Sequence, residues 1–460
     1  MRGYPYSCLE QKVSKAVTLR DRGLWDGIMG ELSSYLDGDG LAKYFPMMSE
    51  GDDILTSYVL ALSHQSDYPL PAPAKDRMTK GLSKFVQGKI KRDYPLPMAD
   101  LTLRKIAALE ALSRFNAVPE GALDSINVEP NLWPNSAVID WIGLLLRTPG
   151  LSERDARLEQ AKTILRSRLN VQGTIMTLSA RRDVAWWLMI SPEVDMMKAL
   201  LTALELPEWR GDVPRLVRGV LSRMRQGHFG TTPANVWGLL AMEKFSTRFE
   251  SETTTGRTTA ILGGREQTVD WAKTPAGQSL AFPWSKGRET IRIAHQGSGR
   301  PWTTIQTLAS VPWKEAFSSG YSIKKKIIPI ERKAKDFWTV GDVVRVQLEI
   351  DAQSDMTWVV VNDPVPAGST ILGGGLGRDS GLLSSQAASQ RGWAREAYRE
   401  RASEGLRAYF QYVPKGIWTV EYVLRLNNAG HFLLPETRVE ALYSPEMFGV
   451  LPNKAVVVRP

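Results

Sequence analysis

The sequence holds one cysteine in 460 residues, four histidines, and no apolar run near the ~20 residues needed to cross a bilayer. A single cysteine excludes an internal disulfide framework and any cysteine-rich metal site. It leaves the compartment open, because a lone thiol occurs in all of them. No His, Asp or Glu cluster has metal-ligand spacing, so no metal or cofactor is expected. GGGLG (373–377) lacks the preceding strand and following helix of a phosphate-binding loop. The opening MRGYPYSCLEQ lacks the charged-then-apolar pattern of an export signal.

What is present is ordinary globular composition, 43% apolar and 23% charged, over a length that implies several domains. The net charge of +9 is spread along the chain. Its densest stretch, IKKKIIPIERKAK (323–335), interleaves lysine and isoleucine, which predicts a strand with one solvated face. No nucleic-acid module surrounds it, so no nucleic-acid partner is expected.

The first half repeats a 3.6-residue apolar period. LTLRKIAALEALSRF (101–115) places Leu101, Ile106, Leu109, Leu112 and Phe115 on one side, with Asp100 as its N-cap. Similar segments stand at 53–63, 136–147, 152–169, 183–190, 194–205, 213–225 and 232–246. Helices of this length with short loops stack as hairpins, in an array or a closed ring. Past residue 247 the period becomes two. VVRVQLEID (343–351), TWVVVNDP (357–364), LRAYFQYV (406–413), WTVEYVLRLNNAG (418–430) and TRVEALYSPEMFG (437–449) read as an antiparallel sandwich. The predicted fold is therefore multidomain α + β. It has an N-terminal helical-hairpin ring (an α/α toroid, 1–246), a small antiparallel β segment (247–315) and a C-terminal β-sandwich (316–460). A long flexible insertion is expected at 373–403.

The lone thiol sits in YPYSCLEQ (4–11). Ser7 and Glu10 have capping-box spacing, which predicts a helix from Cys8. Cys8 and Gln11 then share a face three residues apart. A thiol against a primary carboxamide can expel ammonia and close a cyclic thioester. Such a bond acylates amines, because its leaving group is a thiolate of pKa ~8.5, which a helix N-terminus lowers further. Water destroys it, so it needs cover, and Tyr4 and Tyr6 can supply part of that. The plainer reading of Cys8 is a small buried apolar residue.

YPYSCLEQ resembles the thioester signature of the bacterial alpha-2-macroglobulin family. YPLPMADLTLRKIAALEAL (94–112) and TTPANVWGLLAMEKFS (231–246) are similar to helices of that family's thioester domain. VGDVVRVQLEI, VVVNDPVPAG and FLLPETRVEALYSPEMFG resemble its C-terminal macroglobulin domain, and 247–315 resembles the second half of its CUB-type domain. The resemblance implies a broad-spectrum endopeptidase inhibitor, not an enzyme, in which Cys8 is the thioester sulfur and Gln11 the acyl donor. Tyr4 matches the aromatic lid, and Met447 and Phe448 are the expected shielding contacts from the sandwich. It implies bait cleavage as the trigger and lysines of target endopeptidases as the nucleophiles. It also implies a periplasmic or envelope setting, with a periplasmic penicillin-binding protein as a further partner. Upstream macroglobulin domains, bait region, export signal and lipoprotein anchor belong to the family's longer pattern, so the chain is expected to be its C-terminal part.

No relay histidine is expected. His64 ends a helix, His228 sits on a turn, His295 and His431 fall in β segments, and PLPMAD (95–100) fills the position where the family's histidine would stand. Two other readings stay open. One is an envelope scaffold whose thioester never forms. The other is an enzyme, either with Cys8 as nucleophile or with Asp52 and Asp53 in the mouth of the ring.

Overall fold

The structure is a computed structural model that describes residues 4–92, 101–126, 129–179, 186–225, 227–250, 252–284, 287–299, 313–373 and 394–460, with 301, 303, 305 and 307. Contacts divide the chain into two compact units, Met1–Leu239 with Ser310–Pro460, and Leu240–Ala309. The helical half and the sandwich thus belong to one unit.

Ten α-helices lie among the described residues: α1 (Leu9–Thr18), α2 (Arg22–Glu31), α3 (Asp53–Ser66), α4 (Ala72–Val86), α5 (Leu101–Ser113), α6 (Asn135–Arg147), α7 (Arg154–Ser167), α8 (Pro192–Glu205), α9 (Val213–Leu221) and α10 (Thr232–Phe249). Burial sorts them. α3, α6 and α8 are covered nearly all round, whereas α4, α7 and α9 bury one stripe each, such as Val213, Leu216, Val217 and Val220 of α9. Helices that are apolar on all sides belong inside, and amphipathic ones outside.

Polar links join the inner helices in turn around the ring. Ser14 of α1 meets the Tyr58 hydroxyl of α3 at 2.7 Å. Asp53 of α3 pairs with Arg104 of α5, both wholly buried. Glu110 of α5 pairs with Arg147 of α6, and Asp140 of α6 with Lys198 of α8 at 2.5 Å. The Lys198 ammonium lies over the Trp237 ring of α10. Thr232 of α10 then returns to Glu10 of α1 at 2.8 Å. The predicted hairpin ring is closed.

Several local expectations change. The stretch 183–190 supplies only a short 3-10 turn at Trp186–Leu188, with 183–185 outside the described residues. Asp100, the expected cap of α5, also lies outside them. Leu169–Gln172 and Ile175–Leu178 form a hairpin that helical periodicity hid. α2 and α4 are two further helices beyond those expected.

In the sandwich, one sheet runs in the order Arg395–Arg401, Gly405–Val413, Met356–Pro364, Thr437–Ala441, Ser444–Leu451, Phe317–Ser319. The facing sheet runs Thr370–Leu372, Gly416–Arg425, Val343–Ala352, Tyr321–Glu331. Alternate residues of both, among them Leu348, Ile350, Val359, Val361, Phe410, Trp418 and Val420, interlock as the core. Asp363 is fully buried there, serving Tyr422 at 2.6 Å, Lys325 at 2.7 Å and the Thr437 hydroxyl. The lysine-isoleucine stretch is the edge strand Tyr321–Glu331, with Tyr321 and Ile323 turned inward and Lys324 outward. Within the expected insertion, Arg395–Arg401 is the edge strand of the first sheet; 374–393 lie outside the described residues. The run 437–449 is two strands, folded back at Leu442–Tyr443.

The second unit holds a three-stranded antiparallel sheet, with Arg257–Leu262 between Arg265–Asp270 and Arg292–Gln296. Its tight turn uses Gly263 and Gly264, both at positive φ, as a two-residue hairpin turn requires.

Candidate functional site

The helix at the lone thiol starts one residue later than Ser7 and Glu10 predict. Cys8 itself is the N-cap of α1, with extended backbone, and the box is built by Cys8 and Gln11. The Cys8 side chain faces the Gln11 amide, and the Gln11 side-chain oxygen accepts from the Cys8 amide at 3.2 Å. Ser7 drops out of the cap. Its backbone amide meets the Tyr409 hydroxyl, and the first helical amide, Leu9, donates to the Tyr44 carbonyl at 2.9 Å. The one-residue shift frees Glu10 to point elsewhere.

Cys8 is completely buried and Gln11 is 1% exposed. Because the Cys8 N–H demands an acceptor, the Gln11 oxygen must lie on that side and its nitrogen on the other. That nitrogen is buried without a hydrogen-bond partner. An unpaired buried amide group is a cost of about 1–3 kcal/mol. Burial first, and the Glu10 carboxylate second, push the Cys8 thiol well up. The expectation that the helix N-terminus lowers it is thereby corrected: two backbone amides do act in that direction, but loss of water outweighs them.

The cover over the pair is aromatic and comes from three directions. Tyr6 of the segment leading into α1 is buried and meets Tyr409 of the sandwich edge-on at 6.1 Å, and half-buried Tyr4 meets Tyr6 at 5.3 Å. The loop between α2 and α3 delivers Tyr44 against Trp358, with ring centroids 3.8 Å apart, and Phe45 against Tyr398 and Tyr409 at 4.4 and 4.9 Å. That loop is fixed from within. Asp37 accepts from the amides of Leu41 and Gly51 and from Arg92, and a Cβ at Gly51 would sit 2.2 Å from the Leu41 carbonyl oxygen. The third direction is the Leu442–Tyr443 turn, whose Tyr443 hydroxyl donates to Glu10 at 3.1 Å.

Met447 and Phe448 are not where the shielding expectation puts them. Met447 packs against the sandwich core and Phe448 stacks on Phe317. Both lie past the turn, on a strand directed away from it, and Tyr443 takes the contact with the ring. Tyr443, Tyr409, Trp358 and Tyr44 were missed because each lies far along the chain, in a strand or loop that reads as core. The one available signal was L-Y-S between two alternating runs, which marks a turn carrying an aromatic.

The histidines are engaged elsewhere. His64 is exposed and stacks edge-on to Phe115. His228 bonds the Phe229 carbonyl, His295 bonds Thr258, and His431 is exposed on a short strand. Asp52 caps α3 through the Leu55 amide at 2.8 Å, and Asp53 is held by Arg104. Neither carboxylate is a free acid in the ring mouth.

A family description of the bacterial alpha-2-macroglobulin MG10 domain matches residues 320–446, the sandwich that carries Trp358, Tyr409 and Tyr443. Over its whole length the chain matches the crystal structure of native Escherichia coli alpha-2-macroglobulin from domain MG7 to the C-terminus. That match has a TM-score of 0.71 and 17% identity, and covers 74% of that chain. The chain is similar to the C-terminal region of bacterial alpha-2-macroglobulins. An alpha-2-macroglobulin homolog of a Nostoc species is 21% identical over 448 residues, 92% of this chain. The chain spans 23% of the length of that macroglobulin relative. Salmonella alpha-2-macroglobulin reacted with methylamine superposes on all of this chain at TM-score 0.70 with 18% identity, over 30% of its own length. At these identities the structural matches are a likeness of fold. Among the described residues, no helix is long and apolar enough to cross a membrane.

Proposed function

We propose that this chain is the covalent-capture portion of a macroglobulin-like endopeptidase inhibitor, and that Cys8 and Gln11 are its warhead. One observation carries the reading: the only thiol of the chain caps the Gln11 backbone amide, and the buried Gln11 carboxamide folds back onto the same residue, its oxygen pinned by the Cys8 amide and its nitrogen without a partner among the described residues. Closure forms the bond from Cys8 Sγ to Gln11 Cδ, breaks the carbon–nitrogen bond, and passes the thiol proton to the departing nitrogen, which leaves as ammonia. The product removes the orphan amide, which offsets about 1–3 kcal/mol of the cost of exchanging an amide for a thioester.

Opening is the same chemistry with a better nucleophile. A lysine amine attacks Cδ, the carbon–sulfur bond breaks, and a proton of the amine ends on Sγ, leaving an amide to Gln11 and a free thiol. The aromatic cover keeps water and amines out until the sandwich moves. Cleavage of a bait segment in a longer assembly, with its own macroglobulin domains, is the proposed trigger. The domain limits at 246 and 315, an envelope setting and a penicillin-binding partner belong to the same proposal. No histidine is assigned to the warhead in this reading, and selectivity for amines over hydroxyls belongs to the same proposal. The placement of the histidines, and the structural roles of Asp52 and Asp53, argue against turnover at Cys8.

Mass spectrometry of freshly prepared protein tests this. A closed bond makes the chain about 17 Da lighter than its sequence, and methylamine converts it to an adduct at Gln11 with a newly alkylatable Cys8. Full sequence mass and a thiol that alkylates in denaturant before any methylamine would leave only the scaffold reading.

A further inference from the structure

We propose that Glu10 is the positioning residue that holds the Tyr443 turn against the helical ring and so governs when the Cys8–Gln11 pair is uncovered. This rests on the reading of that pair as the warhead. Glu10 is completely buried. One of its oxygens takes the Ser14 hydroxyl at 2.6 Å, the other the Tyr443 hydroxyl at 3.1 Å, and the Thr232 hydroxyl lies within 2.9 Å of both. Three donors from three elements meet on one carboxyl: α1 itself, the start of α10, and the sandwich turn. Deleting Glu10 would detach the sandwich turn from the ring and the last helix from the first at the same point.

The groups facing Glu10 are hydroxyls and one thiol. They are Cys8 at the cap of α1, Tyr58 of α3 behind Ser14, Tyr44 of the covering loop, Tyr4 of the segment leading into α1, Thr232 of α10 and Tyr443 of the sandwich. Among the described residues no base sets its charge, and burial pushes its carboxyl up to about 7 against the pull of Ser14, Thr232 and Tyr443. If the turn lifts, water reaches Glu10 and its carboxyl returns to the ordinary range near 4.3. The docked form therefore binds the proton more tightly than the lifted form. Docking is strongest below about pH 4, weakens as pH rises toward 7, and is level above that. At neutral pH the latch is closed over an ionised group that, among the described residues, is faced by hydroxyls and a thiol, and hydration of that group favours opening once the sandwich begins to move.

The test reads the uncovering of Cys8 and does not require a formed thioester. Protein is first treated with methylamine, so Cys8 is a thiol whether or not the bond had closed. Native alkylation rates are then divided by the rate of the same protein in denaturant at each pH, which removes the thiol's intrinsic dependence. The parent ratio is expected to rise about tenfold or more between pH 5 and pH 8. Glu10→Gln, uncharged and of the same shape, is expected to match the parent at pH 5 and to stay low at pH 8. Tyr443→Phe, which removes one donor, is expected to open several-fold more than the parent at pH 8. A parent ratio that does not change with pH, a Glu10→Gln ratio that follows the parent at pH 8, or a Tyr443→Phe ratio equal to the parent would overturn the proposal. If Glu10→Gln fails to fold, the parent profile and Tyr443→Phe decide it. Absence of the mass deficit before treatment removes the thioester reading and leaves this measurement intact.

Discussion

The Trp358 ring lies 3.8 Å from that of Tyr44, and Trp358 reaches it from a left-handed backbone, φ 53°, in the middle of a strand. For a bulky residue that conformation costs about 1–3 kcal/mol. It aims the indole at the covering loop, while the Trp358 carbonyl accepts from Leu442 at 2.9 Å and so seats the turn that carries Tyr443. Replacing Trp358 by Gly relieves the backbone but removes the stack. Trp358 is 4% exposed, so loss of the indole is expected to cost the sandwich about 3–5 kcal/mol, offset only in part by the relieved backbone, while methylamine uptake accelerates about tenfold. Thermal unfolding and timed mass spectra measure the two separately. Uptake at the parent rate would show that the Trp358 stack is no part of the cover.

Cys8 has two tasks that one substitution divides. As N-cap it faces the Gln11 amide, and serine is among the preferred N-cap residues. Cys8→Ser is therefore expected to fold within about 0.5 kcal/mol of the parent. It should show the full sequence mass and take up no methylamine. Residual uptake at Gln11 in this variant would place the acyl donor's activation outside Cys8.

Asp53 and Arg104 form a pair with both side chains wholly buried. Removing one partner leaves an uncompensated charge in the ring interior. Asp53→Ala is expected to cost about 3–5 kcal/mol in denaturant unfolding. An effect below about 1 kcal/mol would mean that water already reaches the pair.

Stability should also depend on pH through Asp195. Burial raises its carboxyl to about 7, above the mixed influence of Lys198 and Asp140, and one of its oxygens has no hydrogen-bond partner. Its folded value exceeds the unfolded one, near 3.9, so it destabilises progressively as pH climbs from about 4 to 7 and by a constant amount above. Glu110 runs the other way. Burial opposes its charge, but Arg114 and Arg147 outweigh burial and hold it well below the usual range, so its contribution is present at neutral pH and lost on acidification. Asp195→Asn should therefore gain about 1–3 kcal/mol at pH 8 and almost nothing near pH 4, read as the difference in denaturation midpoints. An equal gain at both values would assign the effect to shape rather than charge.

Much of the architecture was legible because its signals are local. The stripes of 53–63, 136–147 and 232–246 and the alternation of 343–351 and 357–364 each recur where they were placed. The misses were also local in cause. Trp186–Leu188 is rich in apolar residues without forming a full helix. Arg395–Arg401 carries charges on both faces, and as an edge strand it needs little apolar alternation. At the site, the pairing of Cys8 with Gln11 was legible because residues three apart meet both within a helix and across its N-cap, where the structure places them. The register of the cap was not, since Ser7 and Cys8 both head a plausible box. The choice went to Cys8 because the Tyr409 hydroxyl and the Tyr44 carbonyl occupy the amides on either side of it, those of Ser7 and Leu9.

The sequence by itself determined that Cys8 and Gln11 meet, because their meeting depends only on the local geometry of a helix start and four consecutive residues. The tertiary structure alone decided what covers them: Tyr44, Trp358, Tyr409 and Tyr443 converge from a loop, two strands and a turn. It also decided that Glu10 is an interior carboxyl touching the last ring helix and the sandwich. Burial and the proton affinity that follows from it are properties of surrounding atoms, and those atoms come from parts of the chain that only folding brings together.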